Sequence, residues 1–198
     1  MAETIDMMNA AIIADFLERV KNKNLSLNTY VNYEIALRQL YEFAKEENEY
    51  IADMTPFNIN KLINSKYTEY APTTVSARLS TFSMLYEHLI IENKSSSNPI
   101  LKSLYPKKTK RKFTAFNKAD YESFIKYLEN ASSIDFVLSA ILMRESGLRV
   151  SEPNGIDFKK DYIDVQGEKY INLIGKGAKQ RTVPVYSKKA QKIIENLI

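Results

Sequence analysis

Over the first hundred positions of the chain, apolar residues recur every three or four places, the spacing of amphipathic helices. Ile5, Met8, Ile12, Phe16 and Val20 make one stripe, and after Leu25-Ser26 a second runs through Tyr30, Tyr33, Leu37, Leu40, Tyr41 and Ala44. Thr55-Pro56 reads as a cap followed by proline at the first helical position, ahead of Ile59, Leu62 and Ile63. A fourth segment starts at Pro72-Thr73-Thr74 and sets Val75, Leu79, Phe82, Leu85 and Leu89 on one face. Four such stripes suffice to close a small bundle. Ser95-Ser96-Ser97-Asn98-Pro99 ends it, because a polar run before proline does not continue a helix.

A second unit follows. Asn117, with Asp120 three residues on, predicts the start of a helix through Tyr121, Phe124, Ile125 and Leu128. Ser133 precedes another through Ile134, Val137, Leu138, Ile141 and Leu142, which Gly147 is expected to end in a left-handed cap. From Tyr162 to Val185 the period changes to two: Tyr170, Asn172 and Ile174 oppose Ile171 and Leu173, and Thr182, Val183 and Val185 follow a glycine-lysine turn. This predicts three short antiparallel strands. Ser187 caps a last helix through Ala190, Ile193, Ile194 and Leu197. The expected fold class is mainly α, a four-helix bundle followed by an α+β unit, divided at 1–103, a linker at 104–113, and 114–198.

Charge changes the picture unevenly. The net +4 is made of −3 over residues 1–104 and +7 over residues 105–198. Five of the six positions Lys107, Lys108, Thr109, Lys110, Arg111 and Lys112 are basic, so a polyanion is expected to be gripped by the second half and the linker. Cysteine is absent, which excludes disulfides and thiolate metal sites. The single histidine, His88, argues against a Ser-His-Asp triad and gives a histidine-based metal site too few ligands. No cofactor is expected. No apolar run approaches the roughly 20 residues of a membrane helix, and the chain is expected to be soluble and cytoplasmic.

Two motifs carry candidate chemistry. In Gly147-Leu148-Arg149-Val150-Ser151-Glu152 an arginine stands at a helix break, where its fork of donors suits a phosphate; the alternative is that Arg149 pairs with Glu152 or Glu145 and stitches two helices together. In Gly175-Lys176-Gly177-Ala178-Lys179-Gln180-Arg181 the flanking glycines permit a tight hairpin tip, from which Lys176 could reach into a groove of DNA or remain a solvated turn lysine. Lys179 and Arg181 add cations to that hairpin. Thr73, Thr74 and Arg78 are placed to meet a DNA backbone or base edges, with simple capping as the other reading. The basic run reads either as a strap along phosphates or as a solvated connector.

The order of these pieces, together with Ala71-Pro72-Thr73-Thr74-Val75-Ser76-Ala77-Arg78-Leu79-Ser80-Thr81-Phe82 and Asn98-Pro99 in the first unit, resembles the tyrosine recombinase (phage integrase) family from about residue 10 onward. The resemblance implies a helical core-binding domain over 1–103 and the first part of a catalytic domain over 114–198. It implies DNA strand exchange at inverted-repeat sites through a phosphotyrosyl intermediate, without metal. Arg149 then matches the family's first catalytic arginine, which stabilises phosphate charge, and Lys176 the hairpin lysine that protonates the leaving oxygen. The family's His-x-x-Arg pair and nucleophilic tyrosine have no counterpart, since no histidine or arginine follows Val185. Tyr162 and Tyr186 lie beside the sheet and are expected to pack. The chain is therefore expected to bind double-stranded DNA without cleaving it, as a monomer in solution, the full-length form being tetrameric on DNA. A non-catalytic regulator of recombination sites and a helical protein-interaction domain are the alternatives. Pro153-Asn154-Gly155 departs from the family pattern and predicts that the helix after Arg149 is short.

Overall fold

The computed structural model describes residues 2–23, 25–107, 114–175 and 179–198. The chain forms two compact units, 1–111 and 112–198. Within the described residues it is mainly helical, with a single three-stranded sheet.

The first unit is built from α1 (Ala2–Lys21), α2 (Leu27–Glu47), α3 (Pro56–Lys66) and α4 (Pro72–Ile91). Ser26 caps α2 by accepting the Thr29 amide, and Thr55 and Asn58 form a reciprocal capping box at α3 with Pro56 in its first turn. The fourth stripe is buried as expected, with Val75, Leu79, Phe82, Leu85 and Leu89 in one core alongside Leu37, Leu40, Ile59 and Leu62. Of the first stripe, Ile12, Phe16 and Val20 are buried as expected and Ile5 is half-buried, while Met8 departs from it. Met8 is exposed and the polar Asn9 is buried, because Asn9 donates to the Glu49 carbonyl (2.8 Å) and accepts from the Ile51 amide (2.8 Å), tying α1 to the turn after α2. Tyr86 adds a second buried tie, donating to the Ile51 carbonyl at 2.7 Å. Beyond α4, Asn98 holds Ser83, and Ile100, Leu104 and Tyr105 pack on this core, so the bundle retains the first two residues of the expected linker.

The second unit contains α5 (Lys118–Ala131), α6 (Ile134–Glu145), α7 (Phe158–Asp161), β1 (Tyr162–Val165), β2 (Glu168–Ile174), β3 (Gln180–Pro184) and α8 (Lys188–Leu197). Asn117 caps α5 through the Asp120 amide and Ser187 caps α8 through the Ala190 amide. Strand order is β1-β2-β3, antiparallel throughout, with Ile171 facing Val183 and Leu173 facing Arg181. The inward residues Ile171, Leu173, Val183 and Val185 meet Val137, Leu138, Ile141 and Leu142 of α6 and Ala190 and Ile194 of α8 in a second core. Three expected core residues lie outside it, among them Leu197 at the end of α8, which is exposed. Ile134 begins α6 on the surface, and Phe124 stacks on the exposed Phe116 with ring centroids 6.1 Å apart.

Candidate functional site

Arg149 owes its position to the way α6 stops. Gly147 adopts φ +67°, a conformation costly for any residue with a Cβ, and the turn it makes returns the Leu148 amide to the Leu142 carbonyl at 3.4 Å. Leu148 is thereby buried in the core, and Arg149 emerges one residue later. The chain then turns over Pro153–Gly155, a single 3-10 turn, as the Pro-Asn-Gly sequence predicts.

Glu152 is the centre of the resulting cluster. Its carboxylate accepts the Arg149 backbone amide (2.7 Å, Oε2) and Arg149 Nη1 (2.7 Å, Oε1). From the hairpin, Arg181 donates Nη1 to Oε1 (2.8 Å) and Nη2 to Oε2 (2.6 Å), a fork-to-fork pair. Glu152 keeps only 6% of its side-chain surface, whereas Arg149 keeps 59% and Arg181 33%. The Arg181 guanidinium, together with the Arg149 amide and guanidinium, holds the Glu152 carboxyl down at about 2, so it is ionised throughout the physiological range. Gly175, the last residue before the hairpin tip, closes the wall. A Cβ there would lie 3.0 Å from Arg181 Nη1 and 3.3 Å from both Arg149 Nη1 and Glu152 Oε1. Its amide donates to the Lys179 carbonyl at 2.8 Å, continuing the β2–β3 ladder into the turn.

Of the two carboxylates open to Arg149, the structure selects Glu152; Glu145 lies near the Tyr121 hydroxyl. The pairing does not consume Arg149, since only one of its guanidinium nitrogens, Nη1, is engaged and most of its side chain faces solvent. Arg181 is placed differently from the expectation of a free hairpin cation: its fork is turned onto Glu152. Lys179 is exposed, and Lys176 lies outside the described residues. In the first unit, Thr73 is exposed and Thr74 half-buried in the first turn of α4, but neither caps it, because Ala71 occupies that position. Arg78 donates Nη1 to the Asn32 carbonyl at 2.9 Å, joining α4 to α2. Lys107 is exposed, while Lys108, Lys110, Arg111 and Lys112 lie outside the described residues. The Tyr162 hydroxyl is enclosed, and its pKa is raised first by desolvation and then by Glu195; Tyr186 is exposed.

His88 gathers more partners than its solitary place in the sequence suggests. It is 5% exposed, its Nε2 stands 3.1 Å from Asp15 Oδ2 and 3.5 Å from Glu92 Oε1, and the three side chains could together face a cation. The Lys94 ammonium already serves as that cation, 2.6 Å from Glu92 and 3.7 Å from Asp15. This cluster ties α1 to α4.

Residues 13–93 match the model of the phage integrase N-terminal SAM-like domain. The chain is 30% identical over 188 residues to tyrosine recombinase XerC of Halalkalibacterium halodurans, covering 92% of this chain and 61% of the relative. It is 27% identical over 187 residues to tyrosine recombinase XerC of Staphylococcus aureus, again over 92% and 61%. Among solved structures, a lambda integrase dimer bound to a COC' core site has a TM-score of 0.76 at 14% identity, over 94% of this chain and 68% of that one. The XerH recombinase bound to a palindromic difH substrate has 0.62 at 17%, over 91% and 56%. The chain belongs to the tyrosine recombinase family. It spans about three fifths of the length of the curated relatives it matches. No helix among the described residues is long and apolar enough to cross a membrane.

Proposed function

We propose that this chain is a DNA-binding part of a site-specific recombination protein, with Arg149 as its phosphate contact. The observation that supports this most directly is the Arg149 guanidinium, fixed at its root by its own backbone amide and one amino group on Glu152 yet 59% exposed. An arginine held that way presents its remaining donors at little further entropic cost, which is what recognition of a phosphate oxygen requires. Lys176 would come to the same phosphate from the hairpin and protonate a leaving oxygen. Lys179 of the hairpin, Lys107, Lys108, Lys110, Arg111 and Lys112 of the basic run, and Thr73, Thr74 and Arg78 of α4 would hold the flanking backbone.

The 198 residues are proposed to bind duplex DNA carrying inverted repeats as a monomer and to leave it uncut. The chain's one histidine, His88, is packed in the first unit against Asp15, and neither tyrosine beside the sheet is placed as an activated nucleophile. Gel shift on inverted-repeat duplexes, followed by denaturing electrophoresis on a nicked substrate, tests both parts. A retarded complex with no covalent adduct is expected. Absence of any complex at low salt would remove the binding function, and an adduct surviving denaturation would overturn the non-cleaving one.

A further inference from the structure

Arg181 sits on the inward side of β3, two residues before Val183 and opposite Leu173, both buried. A cation on that face needs a carboxylate, and it finds Glu152 with both arms of its fork, at 2.8 and 2.6 Å. Arg149 reaches the same carboxylate with a single guanidinium nitrogen at 2.7 Å. Three charges therefore share one small volume, and their sum is +1. Which arginine neutralises Glu152 decides which is left to meet an anion.

We infer that Arg181 is a positioning residue that takes up the charge of Glu152, leaving the charge of Arg149 available to a DNA phosphate. This rests on the reading of Arg149 as a phosphate contact. Geometry divides the roles: the two-armed, two-thirds covered arginine is the counterion, and the one-armed, largely exposed one is the contact. Gly175 completes the arrangement, because any side chain there would press on Arg181 Nη1 at 3.0 Å and on Arg149 Nη1 at 3.3 Å. Without Arg181 the carboxylate has only Arg149 to pair with, so Arg149 closes onto it with both arms and withdraws from the groove. Arg181 thus acts on DNA through Glu152, not by touching it.

Reciprocal rescue tests this. Binding of the whole chain to a fluorescein-labelled mixed-sequence duplex is measured by anisotropy for the wild type, Arg149→Ala, Arg181→Ala, Glu152→Gln, the double variant Arg181→Ala/Glu152→Gln, and that double variant with Arg149→Ala. Arg149→Ala and Arg181→Ala are each expected to weaken binding about tenfold, the worth of one charge-assisted contact. The double variant is expected to return to within about threefold of wild type, since no carboxylate remains to capture Arg149, and adding Arg149→Ala is expected to abolish that return. If Arg181 itself touches phosphate, the double variant stays about tenfold weak, and the inference falls. Wild-type affinity for Arg149→Ala would overturn the phosphate reading of the site, a separate result. Should Arg181→Ala fail to fold, the double variant and its Arg149→Ala derivative carry the comparison, because neither leaves Glu152 as an unpaired buried charge.

Discussion

Val183 and Val185 set the parity of β3, and counting back by two puts Arg181 on the core side, opposite Leu173. Alternation alone thus marked Arg181 as a residue in need of an acidic partner, a signal obscured when the hairpin is read as a loose set of cations. That the partner is Glu152 depends on the fold, because 29 residues separate them and only the return of the hairpin brings them together. The consequence is measurable. The Glu152 carboxyl lies at about 2 against an ordinary 4.5, so its pairing stabilises the fold fully above about pH 4.5 and is lost as pH falls through about 2. Thermal midpoints of wild type and Glu152→Gln should differ by a constant amount above that range and converge below it; a constant gap down to pH 2 would contradict the pairing. Asn9 is the second residue whose role was hidden, since an asparagine beside an apolar stripe reads as surface. Replacing it with alanine leaves the Ile51 amide and Glu49 carbonyl without their partner and should cost about 2 to 4 kcal/mol by denaturant unfolding. A cost below about 0.5 kcal/mol, typical of a surface change, would show that the tie is dispensable.

Helices α2, α3, α4, α5 and α8 begin where the sequence predicts, and at four of the five a polar side chain accepts an amide of the first turn. Caps are readable because they are local, a serine, threonine or asparagine bonding two or three residues ahead. Asn117→Ala should therefore lower stability by about 1 kcal/mol, while Thr73→Ala, at a position where no cap exists, should change it by less than about 0.5. Equal losses for both would contradict the cap assignment. The expected faces of α1 and α5 hold except at Met8 and Phe124. Periodicity marks the centre of an apolar stripe but not the polar residues that share its buried face, and Asn9 joins that of α1 through long-range ties to Glu49 and Ile51. In α5, Phe124 turns outward onto Phe116, a pairing no helical period contains. The sheet was the most transparent element, because its period of two leaves no rotational freedom and a slip by one residue would expose Ile171 and Leu173.

For the whole molecule, the two units place their expected contacts on separate bodies, α4 and the basic run in one region of sequence and the Arg149 cluster in another. The uneven charge, −3 over residues 1–104 and +7 over 105–198, draws five of its cations from the basic run itself, Lys107, Lys108, Lys110, Arg111 and Lys112, and so assigns much of the electrostatic attraction to that run. Family membership follows from sequence and fold together, whereas the activity of the longer relatives is a separate matter, since about two fifths of their length has no counterpart here. The central claim is that Arg149 meets a DNA phosphate while Glu152 holds its root. The measurement that tests it most directly is the salt dependence of duplex binding by the 198-residue chain, wild type against Arg149→Ala. The logarithm of the binding constant should fall steeply with the logarithm of salt, and the slope should be shallower by about 0.9 in the variant, one phosphate contact fewer. A flat response in the wild type, or the same slope in both proteins, would contradict the account.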